Sequence, residues 1–261
     1  MNPKRPDRRD ILYLIGGGAL LAAGLGPARA VEKKLGRLIV EAQSKGTISQ
    51  KIDFISGALR GTRYLGYTLI GGPQRPEQFV ARDDGFDCVT FCETVLAAAR
   101  AGSADSFNSA LKTIRYHDGV VSWRERNHYF FEWGQHNVEN KVCKSVDMPG
   151  SIEIQKDVYW QPELGHRHFA IRVIPSAVFL GNKALLENGD IVGFITRRSN
   201  LDYFHVGFVA LGGGGGLLLR HASQSKGRVL DEPMDRFVAA NRVRYVTLLR
   251  PQELRAVASA G

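Results

Sequence analysis

Hydrophobic and polar positions repeat with different periods in the two parts of the chain. Apolar residues recur every three or four positions in "VEKKLGRLIVEAQSKG", "SQKIDFISGALRGT" and "SADSFNSALKTIRY", which predicts three helices. The last third instead contains short β-rich runs separated by turn residues: "HFAIRVIP", "GDIVGFIT", "HVGFVAL", "GLLLRHAS" and "VRYVTLL". Helices followed by strands predict a single α+β domain.

The segment "FDCVTFCETVLAAARA" joins a loop to a further predicted helix. One face of that helix carries Cys88, Cys92, Val95, Leu96 and Ala99. Asp87 is a predicted N-cap, which places Cys88 in the first helical turn. A thiol there faces unpaired backbone amides and the positive end of the helix dipole, and both favour the thiolate. Cys88 is therefore a candidate nucleophile.

A nucleophilic thiol needs a base, and strand parity selects one among seven histidines. A hairpin around the glycine run at 212–216 would pair Leu211 with Leu217, Gly207 with His221 and His205 with Ser223. His205 and His221 then lie on one face as diagonal neighbours, roughly 7 to 8 Å apart at the backbone. Gly207 leaves room for His221 to lean toward His205. We expect His205 to act as the base and His221 to orient it.

The sequence gives less support to other roles for the cysteines. A zinc site would need two more ligands, and neither a second cysteine pair nor a suitably spaced histidine pair accompanies Cys88 and Cys92. Metal binding by His166 and His168 is likewise disfavoured, and we expect no metal or other cofactor. Cys92 is interpreted as a core residue, with a disulfide to Cys143 as the alternative.

The first thirty residues are basic, then apolar, then small, which is typical of an export signal. Cleavage is expected after Ala30, leaving residues 31–261 as one domain without a permanent membrane anchor. Arg8 and Arg9 resemble a twin-arginine signal, although an ordinary secretory signal is the alternative. The mature protein is thus expected outside the cytoplasm, most simply in the periplasm. Its positive charge is spread out, which disfavours nucleic acid as a partner.

Six segments, in this order, resemble those of a known family. The chain is similar to the N-acetylmuramoyl-L-alanine amidase-like branch of the NlpC/P60 cysteine peptidase superfamily, also called domain of unknown function 1460. The resemblance covers residues 52–245 and rests on "GTRY", "FDCVTFCE", "RNHYFFEW", "NGDIVGFIT", "LDYFHVGFV" and "RHAS".

The resemblance implies a papain-like core, in which N-terminal helices and the nucleophile helix pack on an antiparallel sheet. The family's nucleophile, base and third polar residue fall on Cys88, His205 and His221. Its loop tyrosine, which supports the site, falls on Tyr64. The implied activity is hydrolysis of the amide between N-acetylmuramic acid, often in its anhydro form, and L-alanine. Peptidoglycan or a muropeptide would be the substrate.

Several features leave the substrate open. Cys92 replaces a usual aliphatic residue, Arg63 replaces a common proline, and the five-glycine hairpin is long. A sugar or peptide surface is expected at Arg126, His128, Tyr129 and Trp133, with core packing as the alternative for the last two. The same core could serve a γ-D-glutamyl-diamino acid endopeptidase, a transferase or a wall-binding module without catalysis.

Overall fold

The computed structural model describes residues 33–253 as a mixed α+β fold. Its seven α-helices are α1 (Lys33–Ala42), α2 (Ile48–Ala58), α3 (Cys88–Arg100), α4 (Ala104–Arg115), α5 (Phe130–Glu139), α6 (Ser176–Gly181) and α7 (Met234–Ala240). The strands in that part of the chain are β1 (Arg63–Tyr64), β2 (Ile70–Gly72), β3 (Arg75–Gln78), β4 (Gly85–Phe86), β5 (Cys143–Ser145), β6 (Ile152–Val158), β7 (Arg167–Pro175), β8 (Ile191–Ile195), β9 (Tyr203–Leu211), β10 (Leu217–Ser223), β11 (Arg228–Pro233) and β12 (Tyr245–Pro251).

One large sheet organises the molecule. Its strand order is β4-β1-β11-β10-β9-β8-β12-β7-β6, and β5 also pairs with β12. Neighbouring strands are antiparallel except for β1 and β4, which run parallel. β2 and β3 form a separate hairpin. The prediction of an α+β domain with an antiparallel sheet is confirmed.

Helix α3 is the central helix of the fold. From Thr90 to Ala99 its side chains are buried on every face, because α1, α2 and α4 cover the sides that the sheet leaves free. Phe91 packs edge-on against Phe208 of β9, with the ring centroids 5.7 Å apart. The apolar stripe read from the sequence is thus only one part of a fully enclosed helix.

The start of α3 is defined by a capping box. Asp87 Oδ1 accepts a hydrogen bond from the Thr90 amide at 2.8 Å, and Thr90 Oγ1 accepts one from the Asp87 amide at 3.0 Å. These bonds satisfy amide groups that have no partner inside the helix. The predicted N-cap at Asp87 is confirmed, and Cys88 is the first helical residue.

A second apolar cluster includes residues of β8, β9 and β10, together with residues of α6 and α7. Phe194, Leu219 and Phe237 belong to it, whereas Cys88 and Phe91 belong to the larger cluster around α3. Strands β9 and β10 contribute residues to both clusters. Residues of these two strands therefore link the environment of α3 with that of α7.

The predicted helices and strands are confirmed in position, but several elements had no clear sequence signal. The segment at residues 117–137 gives no clear sequence signal and contains most of α5, whose N-cap Tyr129 makes no side-chain capping bond. β11 is polar and only partly buried, so it lacks the alternation that marks a half-buried strand. The whole of β11 nevertheless pairs with β10 and brings further polar groups to the histidines.

The predicted signal at residues 1–30 lies outside the described residues. Within residues 33–253, no helix has the length and apolar character needed to cross a membrane.

Candidate active site

Cys88 lies at the buried start of α3, which follows closely after β4. The residue is 6% exposed. The backbone amides of Val206, Val89 and Cys88 itself face the sulfur and favour its thiolate form. Two of these amides belong to the first turn of α3, as predicted, while the third comes from β9.

The Val206 amide is available because β9 and β10 part at this point. Their pairing runs from Leu211 opposite Leu217 to Phe208 opposite Arg220 and ends there. Toward the N-terminus of β9, Val206 pairs with β8 on its other side. The sulfur of Cys88 therefore lies at the opening between two strands, next to the residue that follows His205.

His205 and His221 meet across this opening. His205 Nε2 lies 2.6 Å from His221 Nδ1, and the two rings are perpendicular with centroids 4.8 Å apart. Gly207 permits the approach, because a Cβ atom there would lie 2.9 Å from both the Arg220 carbonyl oxygen and His221 Cβ. The expected hairpin register is confirmed near the loop. The expected pairs of Gly207 with His221 and His205 with Ser223 lie beyond the end of the ladder.

This contact leaves His205 Nδ1 as the ring nitrogen not engaged by His221. Within residues 33–253 the thiol of Cys88 is not hydrogen-bonded to the His205 ring. The two residues are connected through Val206, whose amide faces the sulfur and which follows His205 in the chain. Catalytic hydrogen bonds are often long in substrate-free enzymes and shorten when substrate binds.

Burial is the largest influence on the pKa values of Cys88, His205 and His221. It raises the pKa of Cys88 to about 12, with the nearby Asp87 carboxylate adding to the rise and the three amides opposing it. Burial lowers the pKa of His205 well below 6.5, and the neighbouring His221 lowers it further. It also lowers the pKa of His221 to about 4. The expectation that the helix start ionises the thiol is therefore wrong for this substrate-free structure, because desolvation exceeds the effect of the amides.

Tyr64 lies close to Cys88 because β1 pairs with β4 just before this cysteine. Tyr64 is opposite Phe86, two residues from the cysteine. Burial raises the pKa of the Tyr64 hydroxyl, and the charges of Cys88 and Asp87 raise it further. The hydroxyl therefore stays protonated and can donate a hydrogen bond near the sulfur.

The predicted aromatic surface for sugar binding is wrong at Tyr129 and Trp133. Both are 1% exposed, and Trp133 stacks on Phe130 with the centroids 4.9 Å apart. The Tyr129 hydroxyl accepts a hydrogen bond from the Gln161 amide at 3.1 Å. The alternative of core packing is correct for this pair, because neither ring has a free face for a ligand.

Arg126 and His128, predicted with them, are also held by internal contacts. Arg126 Nη1 lies 3.4 Å from the buried carboxylate of Glu77. His128 Nε2 lies 2.7 Å from the Trp123 carbonyl oxygen, and burial lowers its pKa to about 4. Within the described part of the chain, no hydrogen bond or ion pair joins either residue to Cys88.

The remaining cysteines are buried free thiols. Cys92 and Cys143 are both 0% exposed, and neither forms a disulfide. Burial raises the pKa of Cys92 well above its ordinary value. The core interpretation of Cys92 is consistent with this environment. Across residues 33–253, no group of three or more His, Cys, Asp or Glu side chains is arranged to hold a metal ion.

One acidic residue near the histidines was not anticipated from the sequence. Glu232 Oε2 lies 3.3 Å from His221 Nε2. The neighbouring Asp231 instead binds Arg220, at 2.7 Å from Oδ1 to Nε. The sequence places both acidic residues close behind "RHAS", but only the pairing of β11 with β10 shows which one approaches His221.

A buried cysteine at a helix start, whose sulfur faces the amide of the residue that follows one of two hydrogen-bonded histidines, is a set of groups suited to a hydrolase. Residues 54–245 match a family model described as AmiA-like, N-acetylmuramoyl-L-alanine amidase-like. The chain belongs to this family of amidase-like peptidoglycan hydrolases and is an amidase-like enzyme. The comparison with curated protein sequences finds no significant match.

Solved structures share the fold. A protein of Legionella pneumophila, assigned to the domain of unknown function 1460, superposes with a TM-score of 0.73 at 22% identity, covering 84% of this chain and 94% of that one. An N-acetylmuramoyl-L-alanine amidase of Bacteroides uniformis gives 0.66 at 21% identity, covering 84% and 100%. A putative xylanase of Bacteroides fragilis gives 0.64 at 22% identity, covering 75% and 98%. At these identities the likeness establishes the fold alone.

Proposed function

We propose that this enzyme is a cysteine hydrolase of peptidoglycan fragments, which cuts the amide between N-acetylmuramic acid, in its ordinary or anhydro form, and L-alanine. Cys88 is the nucleophile, His205 the base and His221 the residue that orients the base. One observation carries the proposal. The Cys88 sulfur faces the amide of Val206, and the preceding His205 is held at 2.6 Å by His221.

The arrangement supports placement in the NlpC/P60 superfamily with a papain-like core. The nucleophile begins a buried helix, while the base and its partner lie on adjacent strands of an antiparallel sheet. Hydrolysis by such a pair proceeds through an acyl-enzyme in two steps.

In the first step, the Cys88 sulfur attacks the lactyl carbonyl carbon as His205 Nδ1 takes the thiol proton. Because both groups are neutral before substrate binds, proton transfer accompanies the attack rather than preceding it. The tetrahedral intermediate then collapses. The bond from carbon to nitrogen breaks, the imidazolium of His205 returns the proton to the leaving amine of L-alanine, and a thioester remains on Cys88.

In the second step, His205 takes a proton from water, and the hydroxide attacks the thioester carbon. Collapse of this second intermediate breaks the bond from carbon to sulfur, and His205 returns the proton to the Cys88 sulfur. The products are the lactyl carboxylate of the sugar and a free stem peptide that begins with L-alanine. No external oxidant or reductant takes part in either step.

Negative charge develops on the substrate oxygen in both steps and needs hydrogen-bond donors. The Cys88 amide at the start of α3 is one candidate donor. The Tyr64 hydroxyl is a second, because its raised pKa keeps it protonated. Each donor lies on an element fixed close to the nucleophile.

Export to the periplasm by the segment at residues 1–30, of twin-arginine type, is part of this proposal. Its support is the order of basic, apolar and small residues in that segment. An exported enzyme would meet peptidoglycan or released muropeptides as its substrate.

The test uses residues 31–261 with defined muropeptides and mass spectrometry of the products. Release of a stem peptide with an intact N-terminal L-alanine, together with the free sugar acid, is the expected result. An L-alanyl-D-glutamate left on the sugar would instead identify an endopeptidase. The absence of any cleavage under reducing conditions would contradict a hydrolase of these substrates and favour a wall-binding module.

A further inference from the structure

His221 has a second ring nitrogen to which the two-step mechanism assigns no role. Its side chain is 2% exposed, and Nε2 makes no hydrogen bond of normal geometry. The nearest acidic group is Glu232 on β11, whose Oε2 lies 3.3 Å away. A buried imidazole nitrogen beside a carboxylate oxygen is a strong determinant of where the ring carries its proton.

The position of that proton decides whether His205 can act as a base. A neutral imidazole carries one proton, on either Nδ1 or Nε2. With the proton on His221 Nδ1, the contact at 2.6 Å makes His205 Nε2 the acceptor, and the His205 proton then occupies Nδ1. With the proton on His221 Nε2, His205 donates from Nε2 instead and its Nδ1 lone pair is free to accept the thiol proton.

We propose that Glu232 is a positioning residue, which holds the His221 proton on Nε2 and thereby keeps His205 Nδ1 unprotonated toward Cys88. In this arrangement the Glu232 carboxylate attracts the proton on His221 Nε2 across 3.3 Å, and His221 Nδ1 accepts a hydrogen bond from His205 Nε2. This inference rests on the proposed function of the histidines in catalysis. The role of Glu232 also explains why a neutral histidine can orient the base. The charge that orients His205 comes from Glu232 and acts through His221.

The strand pairing supports this role for Glu232. Glu232 is opposite Leu219, and Leu219 shares a face of β10 with His221 two residues later. Glu232 is therefore a diagonal neighbour of His221 across the two strands. Its side chain is 27% exposed, whereas that of His221 is 2% exposed.

The other groups around His221 do not compete for its Nε2 proton. Asp231, whose charge favours a protonated His221, is bound by Arg220 on β10 and by Arg60. Helix α7 presents the ring of Phe237, with its centroid 5.4 Å from that of His221. Strand β9 presents His205 itself. Within residues 33–253, Glu232 is the carboxylate that approaches Nε2, at 3.3 Å.

The kinetic test compares Glu232→Gln with Asp235→Asn, which removes one charge from an exposed position nearby. For Glu232→Gln we expect kcat to fall roughly 10- to 100-fold, as when the partner of an oriented imidazole is removed, with KM little changed. The acid limb of kcat/KM should move to lower pH, because loss of a negative charge disfavours the imidazolium. The Asp235→Asn variant should match the wild type in both respects.

A second measurement does not depend on catalysis. Long-range ¹H–¹⁵N spectra of histidine-labelled wild-type protein at neutral pH report which nitrogen of each ring is protonated. We expect both His205 and His221 to be protonated on Nε2, and His221 to change in Glu232→Gln. A proton on His221 Nδ1 in the wild type would overturn the inference, whichever bond the enzyme cuts. Wild-type kcat and pH profile in Glu232→Gln would overturn it as well.

Discussion

At Cys88, two physical effects act on one sulfur in opposite directions. Three backbone amides favour the thiolate, while burial and the Asp87 carboxylate favour the thiol. Burial is the larger effect, and the pKa rises to about 12. In the substrate-free structure the Cys88 thiol and the His205 imidazole are therefore both neutral. In the proposed mechanism, proton transfer between them accompanies the attack on substrate.

The neutral forms of Cys88 and His205 predict how the reaction rate depends on pH. His205 must be unprotonated to act as a base, and burial keeps its pKa well below 6.5. The fraction of active enzyme therefore rises with pH through that lowered value and is nearly complete by the ordinary imidazole pKa, about 6.5. We expect kcat/KM to show no acid limb above this pH. An acid limb at neutral pH would contradict a buried, neutral base.

The two cysteines of α3 provide a matched pair of variants. We expect Cys88→Ala to abolish turnover, with a loss of at least about 10³-fold, because no other group can form the acyl-enzyme. Cys92→Val should keep both activity and fold, because Cys92 is a fully buried core residue one turn away. Muropeptide assays and circular dichroism of both variants check these outcomes. An inactive but folded Cys92→Val would show that Cys92 does more than pack.

At the scale of the element, the capping box does two things for α3. Asp87 satisfies the Thr90 amide, which defines where the helix begins, and its charge also raises the pKa of the adjacent thiol. Asparagine caps helices about as well as aspartate but carries no charge. The two effects can therefore be separated by one substitution.

We expect Asp87→Asn to lower the pKa of Cys88 while leaving the melting temperature nearly unchanged. The rate of thiol alkylation as a function of pH measures the first effect, and thermal unfolding measures the second. Asp87→Ala is the control, because it removes the cap as well and should cost about 1 kcal/mol of stability. An alkylation profile in Asp87→Asn identical to that of the wild type would show that the Asp87 charge does not act on the sulfur.

At the scale of the whole molecule, α3 is tied to its surroundings by a buried ion pair. Glu93 Oε2 on α3 lies 2.7 Å from Arg115 Nε on α4, and the two side chains are 3% and 2% exposed. Arg115 Nη1 also donates to the Val80 carbonyl oxygen at 2.5 Å. The same arginine thus links α3, α4 and the segment that follows β3.

Breaking this pair should destabilise the protein strongly. We expect Glu93→Ala to cost about 3–5 kcal/mol, because it leaves the Arg115 charge buried without its partner. The exposed pair of Asp147 and Arg172, at 3.1 Å with side chains more than half exposed, is the control. Asp147→Asn should cost at most about 1 kcal/mol. Urea unfolding measures both. Equal losses in the two variants would contradict the importance of burial.

At this scale, the fold alone does not identify the reaction, which depends on the groups placed in the site. Proteins described as an amidase and as a putative xylanase both share this fold, at identities of 21% and 22%. Folds host many chemistries, and the reaction depends on the groups placed in the site. The bond cut by this enzyme must therefore be found with defined muropeptides rather than from the fold.

Much of the architecture followed from local sequence patterns. The period of apolar residues identified α1, α2, α3 and α4, and short β-rich runs identified β7, β8, β9, β10 and β12. Asp87 marked the start of α3, and strand parity predicted the partnership of His205 with His221. These features depend on residues close together in the chain, or on the two sides of one hairpin.

Only the tertiary structure decided what surrounds those residues. The enclosure of α3 by three helices and a sheet sets the burial that keeps Cys88 neutral, and no local pattern encodes that burial. Tyr129 and Trp133 are amphipathic aromatics that suit either a surface or a core, and packing placed them inside. Glu232 reaches His221 through the pairing of β11 with β10. Chain periodicity thus specifies elements and their register, whereas desolvation and contacts between distant strands arise only when those elements pack.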